Sequence, residues 1–197
     1  MVQMVYAFII HTLLPGPCRV LFYQMYGQDD ECDSKNELQR TSELKATRKT
    51  QIEQVASQVH SEYQFRRAVA NRTVEEDIQT LDNDDTLPEF ELGFIRLFEG
   101  EPFAKTRIAV WLGAGNTGFT LVCHETENRV LAENILKLII RCLQEHVRIL
   151  SQPAEAFLKV DKVCLVLSRF LPEGSLLFMN HRVIRGLEKE LETLIKN

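Results

Sequence analysis

The sequence predicts an α/β (α+β) fold in which a sheet is covered by helices on both faces, and three observations predict it. Ile108 to Leu112 and Phe119 to Cys123 are nearly continuous apolar runs rich in branched and aromatic residues, a composition that suits strands buried on both sides. Gly113 to Gly118 joins them as a turn joins a hairpin. From Leu131 the apolar period changes, and Leu131, Ile135, Leu138, Ile139, Cys142, Leu143, Val147 and Leu150 recur at three and four, the stripe of a core-facing helix.

The other elements follow in chain order. Val5 to Leu14 and Arg19 to Tyr26 are apolar runs separated by Pro15-Gly16-Pro17, which stops a strand and reverses the chain, so they predict a hairpin. The first run has no basic residue before it, Arg19 being the first, and it is too short to span a bilayer; it reads as a buried strand rather than a signal peptide. Gln28 to Glu43 is acidic and polar, with nothing to bury, and predicts a flexible loop. Thr41 or Ser42 would cap the helix that follows, whose apolar face is Ile52, Val55, Ala56, Val59 and Tyr63. Asn71 to Glu91 is a second polar stretch, read as a mobile connector, and Pro88 argues against a central strand there. Phe94 to Phe98 predicts a third strand ahead of the two opening runs.

Beyond the long helix, Ser151-Gln152-Pro153 breaks the pattern. Phe157, Val160, Val163, Cys164, Leu167, Phe170 and Leu171 set up another helical stripe, which Pro172-Glu173-Gly174 closes. Val183, Ile184, Leu187, Leu191 and Leu194 then place an amphipathic helix from about Asn180 to the end. No repeat or membrane-spanning run interrupts residues 1–197, which predict a single domain carrying flexible segments at about 28–43 and 71–91.

Composition narrows the function classes. The 197 residues are 45% hydrophobic and 26% charged, enough for one sizeable core. A net charge of -5 argues against nucleic acid or an anionic membrane as a partner held by bulk charge. Five cysteines without a C-x-x-C pair, three of them on apolar faces, read as buried reduced thiols of a cytosolic protein.

The chemical motifs lead away from catalysis. Gly113 to Gly118 matches G-x-G-x-x-G, yet a phosphate-binding loop must open a helix, and Phe119 to Cys123 is strand sequence. The glycines are assigned instead to a hairpin turn that uses positive φ. His124-Glu125-Thr126-Glu127-Asn128 lacks the second histidine of H-E-x-x-H and reads as a turn from strand to helix. No nucleophile elbow, phosphate loop or kinase set occurs, so no catalytic, cofactor-binding or metal residue is assigned. One apolar tetrad lies at a junction of helices: Leu176, Leu177, Phe178 and Met179 are either core or a partner-facing patch.

A hairpin, a helix, three strands and then helices is the order of the longin-like fold, a five-stranded, mostly antiparallel sheet with helices on both faces. Met4 to Leu13 (MVYAFIIHTL), Val110 to Gly113 (VWLG), Arg169 to Asn180 (RFLPEGSLLFMN) and Gly186 to Glu190 (GLEKE), in that order and spacing, resemble the small (sigma) chain family of the fifth adaptor-protein complex. The resemblance covers nearly the whole chain outside the two polar segments. It implies a non-enzymatic subunit that helps build the core of a heterotetramer with two large chains, of zeta and beta type, and a medium mu chain. It implies vesicle-mediated protein transport at late endosomes and lysosomes, with retrieval toward the Golgi and with spatacsin and spastizin as associated proteins. The chain would then be cytoplasmic, peripheral on those membranes and attached only through the complex, with no cofactor and no nucleic acid. The apolar dileucine pocket of better-known adaptor small chains has no residue-by-residue match in Arg148 to Ala154, so the resemblance does not bring it along. An alternative is a longin-type regulatory subunit of another trafficking complex, a tether or exchange factor; a small enzyme with dispersed catalytic residues is a third reading.

Overall fold

Five apolar runs pair side by side because none can satisfy its backbone alone. In the computed structural model, which describes residues 4–27, 37–70, 90–100 and 102–196, they are β1 (Val5–Thr12), β2 (Val20–Met25), β3 (Glu91–Leu97), β4 (Arg107–Ala114) and β5 (Thr117–His124). They form one sheet in the order β2-β1-β5-β4-β3, with every neighbouring pair antiparallel. The three central strands, β1, β5 and β4, are buried along nearly their whole length, which is why their sequences run apolar without alternation. The flanking β2 and β3 are only partly buried.

The Gly-rich segment turns between strands as expected, but its glycines divide the work. Only Gly115 has positive φ, 54°, and with Asn116 it makes the two-residue turn, glycine first as in a type II′ hairpin. Gly113 and Gly118 instead face one another within β4 and β5. They are glycines because neighbours crowd in: a Cβ on Gly113 would stand 2.8 Å from the Tyr63 ring, and one on Gly118 2.5 Å from the His11 ring.

One face of the sheet is covered by α1 (Glu37–Ala70). Its start corrects the sequence reading, for Glu37 to Glu43, expected in a loop, is helical, and Thr41 and Ser42 lie inside the helix rather than at its cap. The residues Glu37-Leu38-Gln39-Arg40 and Leu44-Lys45-Ala46 are strong helix formers, so propensity extends the helix where no apolar stripe announces it. Gln28 to Asn36, and most of the second polar stretch, lie outside the described residues; Glu91, placed in that connector, opens β3. The expected face Ile52, Val55, Ala56, Val59 and Tyr63 packs on Ala7, Ile9, Ala109, Trp111 and Val122. Trp111 is sealed there, lying so close across the strands to Gly93 that any side chain at Gly93 would enter its indole. Hydrogen bonds pin α1 to the strand ends: Arg67 donates to the Tyr63 hydroxyl at 2.8 Å, which donates to Gly115 O at 3.3 Å, and His60 Nε2 donates to Leu14 O at 2.8 Å.

The opposite face is covered by α2 (Arg129–Val147), the short α3 (Glu155–Leu158), α4 (Val160–Phe170) and α5 (His181–Lys196). Asn128 caps α2, its Oδ1 accepting from the amides of Val130 and Leu131 at 3.0 and 3.1 Å. The helix ends at Arg148, in the left-handed conformation with φ 59°. Ala132, Leu136, Ile139, Ile140 and Leu143 meet Phe8, Ile10, Val110, Phe119 and Leu121 of the sheet in one core. The stripe expected after Pro153 is interrupted at Lys159, whose non-helical backbone separates α3 from α4. Val163, Leu167, Phe170 and Leu171 are buried as expected, whereas Phe157, Val160 and Cys164 are exposed; the break turns Phe157 and Val160 out of the core, and Cys164 lies one turn after Val160 on the same outward side of α4. In α5 Leu191 is buried and Ile184 and Leu187 partly so, but Val183 and Leu194 stay exposed; this helix lies on the rim of the fold.

The close approaches set a clear contrast. Replacing Gly118 with Ala should destabilise by about 1–3 kcal/mol, since a methyl must displace the buried His11 ring. Replacing Gly186, mid-helix in α5 with nothing within 4 Å, should stabilise by about 0.5–1 kcal/mol. Urea unfolding of both variants checks this; a shared sign would show that the crowding at Gly118 is misplaced.

His11 gives the fold a pH dependence. It is fully buried, with Nδ1 3.3 Å from Thr12 O and Nε2 3.3 Å from Thr120 Oγ1, and burial lowers its pKa from 6.5 to about 4 against the opposing backbone bond. The folded chain excludes a proton that the unfolded chain takes up, so the stability from neutral His11 is full above 6.5 and is lost as pH falls toward about 4. The slope should approach ~1.4 kcal/mol per pH unit within that window. Stability measured by urea unfolding should show it, flattened in His11→Asn; parallel slopes for the two proteins would assign the pH dependence elsewhere.

Candidate partner interface

The segment from Ser175 to Asn180 takes its position from the turn before it. Pro172–Gly174 forms a single 3-10 turn in which Gly174 has φ 76° and lies against Tyr26 and Val5 O, where a Cβ would stand 2.6 and 2.8 Å from its neighbours. Beyond this anchor the chain crosses toward α5 without regular structure, and Asn180 opens that helix, its Oδ1 accepting from Val183 N at 3.0 Å.

The sequence left the Leu176 to Met179 tetrad between core and patch, and the structure divides it. Leu176 is core, 4% exposed, and Met179 packs partly buried on the same cluster. Leu177 is exposed, and the Phe178 ring stands 91% in solvent. Folding gains nothing from a phenylalanine held in water, so its exposure is the observation to be explained.

Phe178 and Met179 form one wall of a groove of about 420 Å³, completed by Phe90, Leu131, Leu138 and Ile184. Helix α2 therefore carries two apolar ridges. Ala132, Leu136, Ile139 and Leu143 face the sheet, while Leu131, Ile135 and Leu138, at four and three, border the groove. The expected single stripe merged the two ridges; its unusual width, with Leu138 beside Ile139, was the available signal. Phe90 carried no signal, sitting at the end of a polar stretch. The cations at the groove are already matched, Lys137 to Glu133 at 2.6 Å and Arg141 to Glu188, and Arg169 to Glu190 at 2.8 Å joins α4 to α5 nearby. What the groove offers is accordingly apolar surface beside charges that are already paired.

The reactive side chains elsewhere are restrained. Burial pushes the thiols of Cys123 and Cys142 up to about 12 and that of Cys18 to about 11, so each stays protonated at neutral pH. His124, first in the H-E-T-E-N segment, has Nδ1 2.9 Å from Thr126 Oγ1 in the turn leading to α2. Among the described residues, no group of three or more His, Cys, Asp and Glu side chains could hold a metal ion, and no helix is long and apolar enough to cross a membrane.

The family model for AP-5 complex subunit sigma-1 matches residues 4–192. The chain is 37% identical over 195 residues to the human AP-5 complex subunit sigma-1, covering 95% of this chain and 96% of that protein. It is 35% identical over 156 residues to the mouse protein of the same name, covering 75% of this chain and 91% of that protein.

The divided tetrad is testable within the isolated chain. Phe178→Asp should change stability by less than about 0.5 kcal/mol, whereas Leu176→Asp should cost several, about 3 kcal/mol or more, for a charge placed in the core. Thermal melts of the two variants decide; equal losses would mean that Phe178 is packed.

Proposed function

The chain belongs to the family of AP-5 complex sigma-1 subunits, and on that premise we propose that it is the small subunit of a heterotetrameric vesicle adaptor serving endosomal and lysosomal protein transport. The observation that carries this reading is a match running from the first strand into the last helix, which makes the whole fold, rather than a shared fragment, the unit of likeness. The chain then works as one small-chain domain, burying its outer surface against a zeta-type large chain and stabilising the core that also holds the beta-type and mu chains. Spatacsin and spastizin would join the assembled complex rather than this subunit alone, on late endosomes and lysosomes, in traffic returning toward the Golgi. The subunit would reach the membrane only through its partners.

Its part is non-enzymatic in this reading. Protonated thiols and a neutral, enclosed His11 supply no ready nucleophile or base, while the Phe178 groove supplies what assembly needs, an aromatic anchor beside an apolar recess. Leu177, Phe178 and Met179 are the proposed contact residues of the tetrad, with Leu176 supporting them from the core.

Tagged chain expressed in cells should co-purify with a zeta-type large chain. Phe178→Asp should reduce that recovery by about tenfold or more, because an exposed aromatic at an interface centre is worth about 2 kcal/mol. Full recovery with the variant would remove the groove from the interface; absence of any large adaptor chain from the wild-type eluate would remove the adaptor reading itself.

A further inference from the structure

Helix α5 is fastened to the body by its inner side. Leu191 is buried, Leu187 and Ile195 pack partly buried on the same cluster, Glu188 pairs with Arg141 of α2, and Glu190 pairs with Arg169 of α4 at 2.8 Å. The side opposite Leu191 meets solvent, and its residues are chosen against the stability of the helix itself. Arg182, Arg185 and Lys189, three and four apart, form one exposed row, and none has a carboxylate partner among the described residues.

Like charges one turn apart repel, and Arg182 and Arg185 stand in the opening turns, where the helix macrodipole disfavours cations. Gly186, beside the row, has open space where a Cβ would stand, so it weakens the helix at a position that would accept almost any side chain. Val183 and Leu194, 48% and 43% exposed, border the same outer side. None of these choices serves folding, and together they make an unpartnered face with a basic strip, a small residue and apolar margins.

We infer that this outer side of α5 docks an amphipathic helix of a partner polypeptide, laid over Gly186 with apolar residues toward Val183 and Leu194 and carboxylates toward Arg182, Arg185 and Lys189. The inference rests on the adaptor reading for its source, a large adaptor chain, and uses a surface separate from the Phe178 groove, which α5 borders only through Ile184. Charge complementarity selects an acidic occupant, because the three acidic residues of α5, Glu188, Glu190 and Glu192, hold partners of their own and leave the row unneutralised. Gly186 selects a helix: without a side chain there, a second backbone can approach α5 closely and keep contact along the two turns from Arg182 to Lys189. A second copy docking by the same face would set cation against cation. An anionic bilayer would gain little, since the apolar side that an interfacial helix sinks into lipid is, in α5, turned to the body.

The test uses the full chain, tagged and expressed in cells, as wild type, as Arg182→Glu/Arg185→Glu/Lys189→Glu and as Gly186→Leu. Purified Gly186→Leu should melt at or above the wild-type temperature, because leucine favours the helix and the space is open. Both variants should nevertheless recover about tenfold less large adaptor chain, one through charge and the other through bulk. Full recovery by both variants would overturn the inference and leave the adaptor reading standing. Loss in the charge variant alone would refute the helix, since close approach at Gly186 would then play no part. Sedimentation of the wild-type chain with vesicles of equal parts phosphatidylserine and phosphatidylcholine, abolished in the charge variant, would give the face to a membrane instead. Concentration-dependent dimerisation abolished by Gly186→Leu would give it to a second copy. Absence of any large adaptor chain from the wild-type eluate would remove the adaptor reading and this inference together.

Discussion

Burial of the three central strands on both faces is the constraint from which the rest of the structure follows. A strand that is apolar on alternate residues can rest one face on a core and show water the other; β1, β5 and β4 have no such option. Two separate helical layers must therefore exist, and the chain supplies them unequally. A single long helix, α1, closes one face, while α2 and α4 close the other with α5 at the margin. The crowding at Gly113 and Gly118 follows from the same demand, because side chains drawn in from α1 and β1 need the space that a Cβ would occupy.

The central architecture was legible because its physics is written in local runs. Continuous apolar strands, the period change at Leu131 and the Pro-Gly-Pro reversal each speak within a dozen residues, and all three stand in the structure. The first turns of α1 were missed because a polar helix made by propensity alone leaves no stripe to read. The stripe from Phe157 to Leu171 was read as one helix because periodicity cannot register a single residue, Lys159, leaving helical geometry. As for the candidate interface, the tetrad drew notice as an apolar run, but which member faced water depended on the docking of the turn at Gly174 against Tyr26, a contact across some 150 residues of chain.

The apolar surface left over is as informative as the surface buried. Phe178 on one side and Phe157 with Val160 on another are placed by breaks in helical structure, the irregular link before α5 and the interruption at Lys159. In both cases a departure from regular geometry moves side chains of core character outward. The helix breaks move these side chains outward without disturbing the sheet.

The enclosure of Trp111 has a spectroscopic consequence. It is the chain's one tryptophan, fully buried beneath α1, with the Tyr63 ring edge-on at 6.1 Å, the Arg66 guanidinium 5.2 Å from its centre and no acceptor for its Nε1–H among the described residues. Its emission should consequently be blue-shifted, and it reports on one layer of the molecule alone. A change confined to the Phe178 side of the molecule should leave that signal still, whereas any event that lifts α1 from the sheet should let in water and move it to the red. The native chain thus carries a built-in optical gauge that separates binding at its surface from opening of its interior.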